Sequence, residues 1–494
     1  MANIPYLPIT IPAKIVGGST IVDTTYDNPS SIYNGYPYTY SVRLELVPTV
    51  NSDDRITPYP YSNGAYEIVE GMWIAQPNGL VYQIISVSTP ISNDTVDVII
   101  KDVDLYNTLS DTTLSGTNAP IEESYGIVFN LSDDGDPVLN TLQLQSGHNH
   151  SCHHPTTHKI SETEIARNPS ALHNTKYKKL RRKEMLQGAR PAECDYCWNV
   201  EDNSDRFSDR VFKSAESWSF PYKEEIFESD WRADYNPKYV EVAFSNACNF
   251  KCSYCGPAFS STWVEEIEKY GAYPTLDNFN SPDWLKLEDK FPIPAREHNP
   301  YVEAFWKWWP ELYRDLHTFR ITGGEPLLAK DTWKVLDYIL EQENPNTELK
   351  LAINSNLGVP TSLVEKLIEK IKRIEDEGRV KEIVIFTSVD TWGEQAEYIR
   401  TGLEFNRFWD HVNMILTQCP RVIITFMSTY NALSVFNYET LIHNVYGLKD
   451  AYASTDRYWN SAVFLDSSYL RYPLHQTVQV LPYDFAKYIL DQSK

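Results

Sequence analysis

Tyr239-Val-Glu-Val-Ala-Phe-Ser245 runs directly into Asn246-Ala-Cys248-Asn-Phe-Lys-Cys252-Ser-Tyr-Cys255. The first seven residues alternate in the way of a β-strand, so the three thiols, at spacing C-x3-C-x2-C, fall on a loop that leaves a strand. Cysteine thiolates are the usual ligands of iron–sulfur clusters, which normally take four. Three local ligands leave one iron of a [4Fe–4S] cube open, and an open position is where a metal site does chemistry rather than structure. The alternatives are a zinc knuckle or reduced structural cysteines. A lone C-x2-C would favour zinc, but C-x3-C-x2-C is an uncommon zinc spacing and no fourth ligand lies close by.

Downstream the chain repeats one pattern: a short apolar run, polar residues at its end, then a helical segment. Thr318-Phe-Arg-Ile-Thr322 delivers Gly323-Gly324-Glu325-Pro326, where a Gly-Gly turn lets backbone approach a ligand and a buried carboxylate can accept from an ammonium. Leu349-Lys-Leu-Ala-Ile353 ends in Asn354-Ser355-Asn356, and Glu382-Ile-Val-Ile-Phe386 in Thr387-Ser388-Val389-Asp390, with Arg400 ten residues on. A fifth strand is expected at Arg421–Met427 and a sixth near Ser461–Leu465. Helices are expected at about 260–270, 301–310, 331–343, 361–377, 404–417, 433–446 and 483–491, with an irregular insertion from 271 to 300. Strands alternating with helices signal a parallel sheet, and such sheets carry their sites at the C-terminal strand ends. Each polar residue alone is explained by strand-end capping; their succession in order is what points to a ligand.

From about 239 to 450 the chain resembles the radical SAM superfamily, whose signature is C-x3-C-x-aromatic-C after the first strand of a partial (β/α)6 barrel, with Tyr254 in the aromatic place. The resemblance implies that Cys248, Cys252 and Cys255 hold a [4Fe–4S] cluster whose open iron takes S-adenosylmethionine. Gly323, Gly324, Glu325 and Pro326 match the family's motif for the methionyl amino group. Asn354, Ser355 and Asn356 fall where the family contacts ribose or carboxylate. Ser388 and Asp390 match its ribose ligands, and Arg400 the residue that pairs with the cofactor carboxylate, a task suited to a bidentate fork. An external one-electron reductant, of flavodoxin or ferredoxin type, is implied as partner. Cys419 is expected to be a buried structural thiol.

Upstream, composition divides the chain. Residues 1–150 hold 17 Asp and Glu against 4 Lys and Arg, a net −13 of the total −23, and no Cys; a boundary is expected near residue 145. Before it, runs such as Tyr40–Val47, Val81–Val87 and Thr95–Ile100, separated by Asn34-Gly35, Asn63-Gly64 and Asn78-Gly79, predict a small all-β interaction module over 1–145, sandwich or barrel. Asp133-Asp-Gly-Asp136 lacks the later Glu of a calcium loop and reads as a solvated turn. Acidic, tyrosine-rich β modules of this kind are similar to bacteriophage structural or adhesion modules.

The bridge, 146–238, is a candidate metal region. His148-Asn-His150-Ser-Cys152-His153-His154-Pro-Thr-Thr-His158 packs five histidines around a cysteine, and Cys194-Asp-Tyr-Cys197 follows. Zinc would take Cys152, Cys194, Cys197 and one histidine, His153 or His154; a second iron–sulfur cluster would use the same cysteines and a further ligand. Leu180-Arg-Arg-Lys-Glu-Met-Leu-Gln-Gly188, Pro191-Ala-Glu-Cys194-Asp-Tyr-Cys197, Glu201 and Ser208-Asp-Arg210 resemble the auxiliary-cluster (SPASM or twitch) region of radical SAM proteins, although that region usually follows the main motif. Trp198, Trp218 and Trp231 are expected to pack or to shield a cluster.

The fold class expected is thus multidomain: an α/β partial (β/α)6, TIM-like barrel at 239–494, an N-terminal all-β domain, and a metal-binding bridge. Mean hydropathy of −0.42 and the lack of an 18-residue apolar run or a signal-like start argue against a membrane and for the cytoplasm. The net negative charge argues against nucleic acid backbones as partners; the basic strip Lys176–Lys183 fits a solvated helix face. The expected function is reductive cleavage of S-adenosylmethionine to a 5′-deoxyadenosyl radical that abstracts hydrogen from a substrate, with a peptide or protein implied by the auxiliary-cluster resemblance. The rival is a non-catalytic, phage-type assembly or binding protein with structural metals.

Overall fold

The computed structural model describes residues 11–23, 39–46, 73–75, 81–87, 95–102, 125–129, 139–151, 157–204, 208–216, 218–273, 278–453, 461–482, 484, 485 and 487. The chain divides into two compact units, 1–135 with 203–220, and 136–202 with 221–494. In the first, strands β1 (Ile11–Asp23), β2 (Thr39–Leu46), β3 (Trp73–Ala75), β4 (Val81–Val87), β5 (Thr95–Asp102) and β6 (Tyr125–Phe129) pair antiparallel in the closed order β1-β2-β5-β4-β3-β6. The Asn-Gly turns and Asp133–Asp136 lie outside the described residues.

The second unit is mixed α/β, built on one large, mostly parallel sheet of nine strands. Its strands are β7 (Leu139–Gln143), β8 (His148–His150), β9 (His158–Lys159), β10 (Tyr239–Ala243), β12 (Thr318–Thr322), β13 (Lys350–Ser355), β14 (Glu382–Ser388), β16 (Ile423–Tyr430) and β17 (Val463–Tyr469). They lie in the order β17-β16-β14-β13-β12-β10-β7-β8-β9; every pair from β7 to β17 is parallel, and β8 and β9 add on antiparallel. The two short strands β11 (Lys251–Cys252) and β15 (Arg400–Thr401) form a separate ladder. Seven strands in chain order across a parallel sheet, β7 to β17, is an arrangement consistent with a partial α/β barrel.

Helices α1 (Glu162–Arg167), α2 (Lys176–Leu186), α3 (Asp195–Asn203), α4 (Asp209–Ala215) and α5 (Lys223–Glu228) precede β10. After it come α6 (Ser261–Tyr270), α7 (Pro282–Leu287), α8 (Pro300–Asp315), α9 (Lys330–Glu341), α10 (Thr361–Asp376), α11 (Glu394–Ile399), α12 (Phe405–Gln418) and α13 (Tyr438–Ala451). The helices are amphipathic for a simple reason: α10 buries Val364, Leu367, Ile368, Ile371 and Ile374, the i, i+3, i+4, i+7 stripe of a helix laid on a sheet. The aromatic stripe of α8 is core, with Phe305, Trp309 and Leu312 wholly buried.

Two expectations need correction. The strand at 139–143 lies before the boundary expected near 145, yet it pairs parallel with β10, Leu139 opposite Tyr239, and belongs to the second unit. Acidic composition marked the first module, but a neutral five-residue strand carries no charge signal. The helix expected at 433–446 starts at Tyr438 instead, because Asn431 and Ser434 close a turn on each other and Asn437 sits in the left-handed region at φ 61°. Most of the helix expected at 483–491 lies outside the described residues. Cys419 is fully buried, and burial pushes its thiol up to about 12, as a structural cysteine requires.

Candidate active site

The site is assembled at the C-terminal ends of β10, β12, β13, β14 and β16. The loop after β10 is held by hydroxyls on the start of α6. Ser260 and Thr262 both donate to the Phe250 carbonyl at 2.7 Å, while Ser261 Oγ lies 3.2 Å from the Cys248 N–H and 3.3 Å from its carbonyl. Phe250 is the plug beneath this loop: it is 1% exposed, and a Cβ on Gly358 would sit 2.1 Å from its ring. Trp263 donates to the Cys252 carbonyl at 3.0 Å, and the side chain of Gln476 brackets Ser253, accepting from its hydroxyl and donating to its carbonyl at 2.9 Å.

Cys248, Cys252 and Cys255 are half-buried on this loop. Burial first, and then the neighbouring thiols, push Cys248 and Cys255 up to about 12, and burial raises Cys252 as well. Three thiols in mutual electrostatic reach cannot ionise together unless a cation replaces their protons, which is the linkage expected of a metal-binding thiol set. Among the described residues no group of three His, Cys, Asp or Glu side chains is gathered tightly enough to hold an ion. Three cysteine thiols on one loop are a donor set that fits an iron–sulfur cluster, whose usual ligands are cysteine thiolates.

Glu325 lies across from the cysteines. It is 1% exposed, and it accepts from Ser355 Oγ at 2.8 Å, the Asn356 N–H at 2.7 Å and the Leu327 N–H at 3.0 Å. Burial outweighs these donors and pushes its carboxyl up to about 7. Its proton is therefore held by the folded chain in a window, from about 4.5 to 7, where the unfolded chain has lost it. The stability this contributes is complete below that window and lost as pH rises through it, by about 3 kcal/mol in all. Thermal melts of the parent from pH 5 to 8 should fall more steeply than those of Glu325→Gln; parallel curves would contradict the assignment. A cationic ligand group at Glu325 would remove the penalty.

Asp390 is the second buried acid, 0% exposed at the end of β14. Arg400 grips it with two bonds, Nε to Oδ2 and Nη2 to Oδ1, both 2.9 Å, and the Thr429 N–H adds a third at 3.0 Å. Tyr254 Oη donates to the same carboxylate at 3.0 Å and accepts from Arg400 Nη2 at 2.5 Å. Burial opposes the charge of Arg400, but Asp390 outweighs it and holds the guanidinium well above its ordinary value. The same side chain reaches Cys252 Sγ at 3.6 Å, and β15 pairs Arg400 with Cys252 through the backbone.

The structure thus brings Tyr254, the three cysteines, Glu325, Ser355, Asn356, Asp390 and Arg400 to one end of the sheet. Asn356 ties its amide to Asn249 Oδ1 at 2.9 Å, inside the cysteine loop, while Gly323, Gly324 and Pro326 form the turn beside it. Ser388 is half-buried at the end of β14. Asn354 Oδ1 accepts from Arg320, which lies over Phe386 and near Glu241. Gln476 escaped sequence reasoning, as did Gln143 and Gln145 at the end of β7. With Tyr254 and Cys255, those two glutamines line a cavity of about 710 Å³.

Of the expected auxiliary ligands, Cys152, His153 and His154 lie outside the described residues. Cys194 ends a single turn, and Cys197 is buried in α3. Glu193 beside them is raised by burial and feels Lys178 and Arg181 of α2. The ring of His158, on β9, lies tilted against Tyr177 of the same helix, centroids 4.2 Å apart. The histidine hairpin and the Cys194–Cys197 turn therefore both pack on α2. Trp198 is a packing residue, donating to the Pro191 carbonyl at 2.9 Å.

No family model and no curated protein matches the chain. Among solved structures it is similar to Streptococcus suis SuiB bound to precursor peptide SuiA, at 15% identity and a TM-score of 0.26 over 63% of this chain; the chain spans 59% of that protein's length. It is also similar to the CBM22-1–GH10 modules of the Clostridium thermocellum endo-1,4-beta-D-xylanase 10B complexed with xylohexaose, at 8% identity and a TM-score of 0.21, over 94% of this chain and 90% of that one. At such scores function has to be read from this chain's own residues. No helix among the described residues is long and apolar enough to cross a membrane.

Proposed function

We propose that the second unit is a radical SAM enzyme. The observation that carries this reading is the meeting, at one end of a parallel sheet, of a three-cysteine loop with two buried acids, Glu325 after β12 and Asp390 after β14, the strands that flank β13. Cys248, Cys252 and Cys255 would hold a [4Fe–4S] cluster, and Glu325, Asn356, Ser388 and the Gly323–Gly324 turn would seat S-adenosylmethionine. Bound there, the pair supplies a 5′-deoxyadenosyl radical able to take hydrogen from an unactivated carbon.

The chain's own residues do the positioning. Glu325 is a buried carboxylate with a raised proton affinity, suited to an ammonium that restores its charge. Asp390, Arg400 and Tyr254 fix the cysteine loop, and the cavity beside Cys255 would take the substrate carbon. A peptide or protein substrate, an external one-electron reductant and an auxiliary metal at Cys194 and Cys197 complete the proposal.

The test is 5′-deoxyadenosine release after anaerobic iron–sulfide loading, with S-adenosylmethionine and dithionite. The parent chain should release it and Cys252→Ala should not, a loss of at least about a thousandfold. Equal release by both would remove the cluster loop from the chemistry; release by neither, with four irons loaded per parent chain, would favour a binding role for the protein.

A further inference from the structure

The cavity beside Cys255 has a wall that the proposed cofactor residues do not share. Beyond the stretch from Tyr254 to Phe259, its lining comes from the end of β7, the segment around α7, Thr157 and Tyr472. Its size, about 710 Å³, is that of a small-molecule site. In a chain of net charge −23, no Asp or Glu among the described residues lines it, and Lys290 is the one charged side chain that does.

Lys290 is held in place by its surroundings. Asp289 before it adopts the left-handed region at φ 54°, and the Lys290 N–H turns back to the Leu285 carbonyl at 2.7 Å. Lys159 of β9 bridges the Ser146 and Asp289 carbonyls at 2.9 and 3.3 Å, and the Ile293 N–H bonds the Gln145 carbonyl at 2.7 Å. The loop bearing Lys290 is thereby stitched to the end of β7. The ammonium makes a long ion pair with Glu288 on the surface, at 3.8 Å and beyond hydrogen-bond reach.

Gln145 supplies the second observation. It lines the cavity, is 2% exposed, and its Oε1 has no hydrogen-bond partner. A buried carboxamide oxygen left without a donor carries a desolvation penalty that a ligand N–H or O–H would relieve. Phe259 and Tyr472 stand 42% and 47% exposed on the same lining, apolar surface that a bound molecule would cover.

We propose that Lys290 and Gln145 form a recognition subsite for a carboxylate-bearing substrate. The carboxylate meets the Lys290 ammonium, a neighbouring N–H or O–H donor meets Gln145 Oε1, and the apolar part lies against Phe259 and Trp284. This rests on the proposed function, since it names the substrate class of that site. The carboxylate can belong to an acidic residue within a polypeptide or to a free amino acid.

Ligand-observed saturation-transfer NMR on the full chain, with no cofactor added, tests it with three probes: Ac-Ala-Glu-Ala-NH2, its neutral isostere Ac-Ala-Gln-Ala-NH2, and L-glutamate. At least one carboxylate probe should bind, roughly tenfold more tightly than the neutral tripeptide. Lys290→Glu should abolish that preference and favour Ac-Ala-Lys-Ala-NH2. Binding of the tripeptide alone assigns the carboxylate to a polypeptide, and binding of glutamate alone assigns it to a small molecule. Equal binding of the charged and neutral tripeptides, no binding by any probe, or an unchanged preference in Lys290→Glu would overturn the subsite. The binding needs no radical chemistry, so failure of 5′-deoxyadenosine release with the carboxylate preference intact would count against the enzyme reading alone.

Discussion

Replacing Asp390 with alanine is expected to cost the second unit about 3–5 kcal/mol, because it strands a buried guanidinium. The side chains of Arg400 and Asp390 are 7% and 0% exposed. Without the carboxylate, Arg400 keeps Tyr254 Oη and the Cys252 sulfur as neighbours but has no counter-charge, and the Thr429 N–H loses its acceptor. Urea unfolding followed by tryptophan fluorescence should show the midpoint fall, and iron retained after reconstitution should fall with it, since the same arginine pairs with the Cys252 strand. The double variant Asp390→Leu with Arg400→Met removes both charges and should recover much of the stability. It should not recover the iron. A loss below about 1 kcal/mol in the single variant would mean that the pair is not the anchor of the loop.

The second large effect is expected at Gly324→Ala. A Cβ there would lie 2.3 Å from the Ala247 carbonyl oxygen and 2.7 and 2.8 Å from the carbonyl carbons of Asn246 and Ala247. All three are backbone atoms of the segment that leads into Cys248, so no side chain can swing aside. The backbone itself must part, stretching the bonds from the Gly324 N–H to Ser245 O and from the Glu325 N–H to Ala247 O. Overpacking of this kind costs about 1–3 kcal/mol, but the sharper result is displacement of both ends of the site, with loss of iron retention. Gly447→Ala is the control: that glycine is helical, in α13, with open space around it, and should gain up to about 1 kcal/mol. If both substitutions leave iron retention unchanged, the close approach at Gly324 is not needed.

How legible was this in the sequence? The cysteine loop and the glycine turn could be read because their chemistry is local: spacing on a loop and a carboxylate after two glycines survive without knowledge of the fold. The order of the parallel strands could be read too, since helices and strands alternate at regular spacing. Partners could not. Nothing in the residues around Asn354 says that it bonds Arg320 rather than facing a ligand, and nothing around Asp390 says that Arg400, Tyr254 and Thr429 converge on it. Those are cross-strand facts. The neutral run Leu139–Gln143 was swallowed by the acidic segment before it, so the glutamines at its end were missed with it.

The pairing of β7 with β10 has a consequence for the order in which the molecule forms. Leu139 and Tyr239 are 100 residues apart, and Tyr239 and Thr318 are 79, whereas β12 to β13 and β13 to β14 each span 32. Closing the longer loops costs more chain entropy before any contact rewards it. The sheet from β12 to β17 should therefore set first, with β10 and then β7 added last, and pulsed hydrogen exchange during refolding should protect Ile385 before Val242 and Leu142. The two late strands carry the cysteine loop and the glutamine wall. Newly made protein would thus pass through a stage in which the frame is finished and the mouth is still open, giving a bulky inorganic centre a way in before the door is hung.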